Sequence, residues 1–267
     1  MKKLTTFAFV SLLITILASS AFGQTTVFND DFSTNKNATY TTSGAIGSSN
    51  WSVSRSGDDW GARRNTSPAQ LELTNDVSGT TNANGWVFTS VPTTGFSAPY
   101  NSTLNSNPGL VTWTFNLSTN RTSAMAGFSA SNSYGMAVVL ASSSTDIRST
   151  GNGYAVVVGG GANNQIALVH FTSGFDGTII SLIGFLGAPS SFTNYRSVKV
   201  TFDPSTKTWE LFHRDDGASS FADPETGSLT SLGTTIDQTH TGVSLAYFGA
   251  YWQGSTSGNQ FTYYDNV

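Results

Sequence analysis

Few residues in this chain could do acid–base chemistry. Among 267 residues there are three glutamates, Glu72, Glu210 and Glu225, and no cysteine. Cutting a glycosidic bond with retention needs two carboxyls roughly 5–5.5 Å apart across the sugar. Glu225 follows Asp223 by two residues, but Asp223-Pro224-Glu225 reads as a turn. An Asp-based hydrolase or lyase stays open on this count. No Ser sits in a G-x-S-x-G elbow, and without Cys there is no thiol nucleophile. His170, His213 and His240 have no metal-type spacing. Gly159-Gly160-Gly161 lacks a following Lys-Ser/Thr and lies between two strand-like runs, so it reads as a hairpin loop and not a phosphate cradle.

Three groups suit binding better than catalysis. The first is Asp58, Asp59, Trp60, Arg63 and Arg64, in the most charged stretch of the chain. An indole face flanked by carboxylates and guanidinium groups can stack on a sugar ring and hydrogen-bond its hydroxyls. The competing reading is a surface loop with Trp60 capping the core and local ion pairs. The second is Tyr251 and Trp252 in YFGAYWQ. Tyr247, Gly249 and Tyr251 share one face of that strand, and Phe248, Ala250 and Trp252 the other. One face must be core. The other is either a ligand platform, with Gly249 leaving room for a ring, or a second buried face. The third is Asp30, Asp31 and Asp265, on what read as the first and last strands. With backbone carbonyls they could hold a structural Ca²⁺, which takes several oxygens.

The elements that must position these groups are strands. In Tyr195 to Gly217, Val198, Val200 and Phe202 alternate with polar residues. Asp203-Pro204-Ser205 then interrupts, and Trp209, Leu211 and His213 alternate in turn. Period-two alternation on both sides of a turn signal is a β-hairpin with one face in a core. Further strands are expected at Val27–Phe32, Trp51–Ser54, Gln70–Thr74, Gly85–Ser90, Leu110–Leu117, Met136–Ala141 and Gly153–Val158. Gln165–Thr172, Thr178–Phe185, Gly242–Trp252 and Gln260–Val267 complete the set. Arg55 to Pro68 reads as loop. About a dozen strands with no amphipathic helix predict an all-β fold, a two-sheet antiparallel β-sandwich of the jelly-roll kind.

The order GYAVVVGGGANNQIALVHF, YRSVKVTFDPSTKTWELFHRDDG and LAYFGAYWQGSTSGNQFTYYDNV, with the opening Asp30-Asp31-Phe32, resembles concanavalin-A-like lectin/glucanase domains, including laminin-G-like versions. The resemblance covers most of Val27 to Val267. Its motifs are structural, so it implies fold more than activity. A retaining glucanase of that family would carry an E-x-D-x-E-like strand. None is present, which argues for a non-catalytic member. The style of the chain also resembles surface proteins of gliding, polysaccharide-degrading bacteria.

Composition bounds the rest. Charged residues are 10% and the net charge is -4, with Ser, Thr, Asn and Gly in their place. That leaves little field for nucleic acid or an anionic membrane. Lys2 and Lys3, an apolar run from Phe7 to Leu17, and Ala21-Phe22-Gly23 read as a secretory signal, residues 1–23. The run is shorter than the ~20 residues a span needs, so no membrane insertion is expected after its removal. Residues 24–267 then form one exported sandwich domain. The expected role is a lectin-like or adhesive module for a glycan or surface polymer, with partner proteins of a secretion or adhesion complex as a further possibility. The alternatives are an Asp-based carbohydrate-active enzyme and an assembly domain.

Overall fold

A computed structural model describes residues 24–78, 84–128, 133–159, 166–184, 193–255 and 260–267. The expected secretory signal lies outside the described residues. Strands dominate, and the helical elements among the described residues are two single-turn 3-10 helices.

One sheet has eight strands, in the order β1 (Gly44–Ala45), β2 (Ser52–Ser56), β5 (Gly85–Pro92), β14 (Tyr247–Gly254), β7 (Gly135–Ser142), β8 (Gly153–Val158), β9 (Ile166–Thr172) and β10 (Thr178–Gly184). The other has seven: β13 (Thr230–Ile236), β12 (Thr208–Gly217), β11 (Tyr195–Asp203), β6 (Val111–Thr119), β15 (Phe261–Asp265), β4 (Ala69–Thr74) and β3 (Gly61–Thr66). Neighbouring strands pair antiparallel throughout, as in β11–β12 and β14–β5. This is the two-sheet antiparallel sandwich that the alternation predicts.

The hairpin shows why these residues choose this form. Val198, Val200, Phe202, Trp209 and Leu211 are fully buried, while the residues between them face outward. The reversal is held locally. Ser205 N–H bonds to Asp203 Oδ1 at 2.8 Å and Lys207 N–H to Asp203 O at 2.8 Å, with Lys207 at φ 60°. Trp209 then stacks on Tyr154 of the opposite sheet, ring centroids 4.3 Å apart, and on Trp113 at 5.8 Å. Each such side chain contributes on the order of 1.5–3 kcal/mol by leaving water. Phe248, Ala250 and Trp252 of β14 join this inter-sheet core with Trp51, Trp60 and Leu71.

Three expectations are corrected. Val27–Phe32 is not a strand, although Asp30 and Val267 exchange backbone hydrogen bonds at 2.8 and 3.1 Å. Arg55–Pro68 is not all loop: its second half is β3, whose Ala62 and Arg64 point inward. Charged residues masked its period, because Arg64 is buried through an ion pair and not through apolarity. The third is β13, absent from the expected strands. TSLGTTI is an edge strand with few buried positions, so little selection for apolar residues acts on it.

Candidate ligand-binding face

The candidates read from the sequence are mostly built into the framework. Trp60 is 1% exposed and packs against Trp252, centroids 6.3 Å apart. Gly85 and Gly57 make room for it: a Cβ on Gly85 would come within 2.0 Å of its indole nitrogen. Asp59 accepts from the backbone N–H and hydroxyl of Ser78. Arg64 forms a two-pronged pair with Asp30, at 2.7 and 2.8 Å, and covers the Phe32 ring. Of the five, Asp58 is exposed and Arg63 is half-buried. Asp59, Trp60 and Arg64 therefore serve the framework, as the competing reading has it, while Arg63 stays half-buried on β3.

Tyr251 and Trp252 are also fully buried, on opposite sides of β14. Trp252 lies between the sheets. Tyr251 lies on the outward face of the eight-stranded sheet, but loops cover it. Phe128, Ile147 and Phe175 pack over Phe88, Val139, Val157, Phe171 and Tyr251 as a second apolar cluster. The Tyr251 hydroxyl and Gln253 meet the guanidinium of Arg148, which pairs with Asp176. Gly249 leaves no ring-sized space, because a Cβ there would lie 2.2 Å from Thr89 O of β5. It serves close strand approach. This second-core reading replaces the platform.

Asp30, Asp31 and Asp265 lie near enough for their charges to interact. Burial raises the pKa of Asp265 to about 7, with Asp31 and Asp30 adding to it. As a Ca²⁺ ligand set they do not fit. Both Asp30 oxygens are taken: Oδ1 by Phe32 N–H and Arg64, Oδ2 by Arg64 and the Trp51 indole N–H at 2.9 Å. Among the described residues no group of three or more His, Cys, Asp or Glu is arranged to hold a metal ion.

The histidines, distant in sequence, partly converge. His170 and His240 rings lie 5.7 Å apart where β9 meets the segment after β13. Asp237 accepts from Tyr154 O–H at 2.6 Å and from Thr239, and it contacts His170 Nδ1 at 3.1 Å. Burial works against the Asp237 charge, but these donors outweigh it and its pKa falls. Burial and the neighbouring His170 lower the pKa of His240. His213 sits 2.9 Å from a guanidinium nitrogen of Arg196; burial, then that cation, pushes its pKa down to about 4.

The outward face of the seven-stranded sheet is different. Register places Arg63 opposite Glu72, Glu72 opposite Tyr263, and Tyr263 opposite Ser118. β11 lies beside β6 with Arg196 opposite Leu117, so Tyr195 adjoins this end of the row. Five strands at ~4.8 Å spacing give a row about 19 Å long. Tyr40 adds a ring at one end: its hydroxyl donates to Glu72, and the Arg63 guanidinium lies 4.4 Å from its centroid. Arg63 pairs with Glu72 at 2.9 Å, and Asn65 donates to the other Glu72 oxygen at 3.1 Å. Phe261 stacks near Tyr263, centroids 6.3 Å apart and planes 18° apart. Tyr195 meets Phe221 edge-on at 4.6 Å. Tyr40, Arg63, Tyr195, Phe221, Phe261 and Tyr263 are all half-buried. Burial, then Glu72, raises the Tyr263 pKa to about 12, so its phenol stays a neutral donor. A parallel set on the same face pairs Asn65 with Gln70, and Asp265 with Asn116, which in turn pairs with Ser197. Gln70 Oε1 in it is buried without a hydrogen-bond donor.

None of these rings stood out in the sequence. The alternation of Phe261, Tyr263 and Asp265 against Thr262 and Tyr264 was visible, but not which set faced outward. Tyr264 is fully buried, and its hydroxyl donates to Tyr251 O at 3.0 Å.

Two antiparallel sheets enclosing one core, with an aromatic and amide row on one outward face, define the class as a β-sandwich. No family model matches the sequence, and no curated protein matches it. Among solved structures, the chain is similar to peanut lectin with a 9mer peptide: 14% identity, 90% of this chain and 96% of that one covered, TM-score 0.43. It is also similar to arcelin-5, a lectin-like defense protein from Phaseolus vulgaris, at 11% identity, 80% and 92% coverage and TM-score 0.44. Lectin II from Ulex europaeus gives 10%, 90% and 97%, and 0.43.

Proposed function

We propose that this chain is an exported, non-catalytic binding module that takes a neutral polymer, a glycan or cell-surface polysaccharide, along the outward face of the seven-stranded sheet. The observation that carries this reading is the set of half-buried rings on that face, Tyr40, Phe261, Tyr263, Tyr195 and Phe221, with the half-buried Arg63 and Asn65 beside them. Flat rings stack on the apolar faces of sugars, and the half-buried Asn65 amide, Tyr263 hydroxyl and Arg63 guanidinium complement their hydroxyls. The paired Arg63 and Glu72 cancel, so the row favours a neutral chain over a charged one.

Placement of the carboxylates supports the non-catalytic side. Glu72 on β4 and Glu210 on β12 are four strand spacings apart in one sheet, about 19 Å, beyond the roughly 5–9.5 Å of a glycosidase pair. Asp216 is tied to Arg214, and Asp237 to Tyr154 and His170. Each serves the framework.

Affinity electrophoresis against a panel of soluble polysaccharides tests the reading. At least one neutral polysaccharide should retard the chain, and Tyr263→Ala together with Phe261→Ala should weaken that retardation at least tenfold. Silence across the panel sinks the binding role. Undiminished binding by the double variant moves the site elsewhere, and reducing-sugar release would revive the enzyme alternative.

A further inference from the structure

We infer that the groove lined by Val27, Phe28, Phe96, Tyr100, Trp113 and Glu225 binds a small organic ammonium ion, at a site separate from the polymer row. The groove has about 80 Å³ of open space. Its wall is aromatic: Phe28 stacks on Phe96 with centroids 4.6 Å apart, Tyr100 lies 5.2 Å from Phe96, and Phe248 lies 6.1 Å from Phe28. One charged side chain lines it, Glu225. The Glu225 backbone N–H bonds to Asp223 Oδ1, and its carboxylate has no ion-pair or hydrogen-bond partner among the described residues. No Lys, Arg or His lines the space. The Tyr100 hydroxyl is buried with no partner, and burial raises its pKa, so the ring stays neutral.

These features select a ligand class. An anion would meet an unscreened carboxylate. A hard metal ion prefers several charged oxygen ligands, and Glu225 is the one carboxylate side chain in the lining. An alkylammonium carries a diffuse positive charge on an apolar surface. Its alkyl groups lie against ring faces whose quadrupoles attract cations, and its charge faces the carboxylate at the rim. The site does not depend on polymer binding, because it shares no residue with the row from Tyr40 to Tyr195.

Choline and its uncharged isostere 3,3-dimethylbutan-1-ol separate charge from shape. Ligand-observed NMR titration of the chain should show saturable choline binding, with the isostere at least tenfold weaker. Glu225→Gln, an exposed position, should remove that preference without changing the circular dichroism. Phe96→Ala should weaken both probes; if that variant does not fold, Glu225→Gln decides alone. No binding of choline at 10-millimolar-order concentrations, equal binding of the two probes, or a preference that survives Glu225→Gln would each overturn the site.

Discussion

The sandwich has two outward faces, made by the same alternation of residues along antiparallel strands. On the eight-stranded sheet that face carries Phe88, Val139, Val157, Phe171 and Tyr251, all buried beneath Phe128, Ile147 and Phe175. On the seven-stranded sheet it carries Arg63, Glu72, Tyr263, Ser118 and Tyr195, with rings half open to water. The first face has become core: loops fold back because the apolar area they bury stabilises them. The second is covered only in part: the segment around Ala222 caps Asn116 and Ser197, while Arg63, Tyr263 and Tyr195 stay half open. A strand buried on both sides and a strand buried on one differ by what lies over them, not by their backbone.

The largest test of this contrast is Phe175→Ala. Its ring sits 4.5 Å from Phe128, 4.9 Å from Phe171 and 5.1 Å from Tyr251. Truncation should cost about 3–5 kcal/mol in urea unfolding, as for a core phenylalanine. A loss under 1 kcal/mol would mean the loops are ornament. On the open face, Tyr263→Ala should cost about 1 kcal/mol or less and act on polymer affinity instead.

Titration should sharpen the contrast with opposite signs. The folded pKa of His213, about 4, lies below its unfolded value near 6.5, so the unfolded chain binds the extra proton. Its contribution is complete above pH 6.5 and is lost as pH falls toward 4, by on the order of 2 kcal/mol after discounting for partial exposure. Asp265 runs the other way. Its folded pKa, about 7, lies above the unfolded 3.8, so stability falls as pH rises through that window. In melting curves across pH 4–7, His213→Gln should remove the acid-side loss and Asp265→Asn the loss toward neutral pH. Unchanged slopes in both variants would refute the assignment.

The smallest effect belongs to Asp58→Ala. This side chain is exposed, so stability should change by less than about 0.5 kcal/mol and polysaccharide retardation not at all. A measurable loss of retardation would return the ligand site to the charged loop.

Much of the fold was readable without coordinates. Val198, Val200 and Phe202 alternate because one side of a strand must be dry, and that period needs no knowledge of neighbours. The site was not readable in the same way. Trp60 and Trp252 drew attention by residue type, yet both are packing groups. Tyr40, Glu72, Tyr263 and Tyr195 come from four distant segments, and each alone is an ordinary strand or loop residue.

The amino-acid order by itself determined that this chain makes strands, where most of them begin and end, and which sides are apolar. These follow from short-range sterics and local alternation. Only the tertiary structure decided how much of each outward face is covered, that Arg64 spends its charge on Asp30, and that Arg63, Glu72 and Tyr263 share one row. Those outcomes depend on strand order and register between segments far apart in the chain, and no local spacing encodes them.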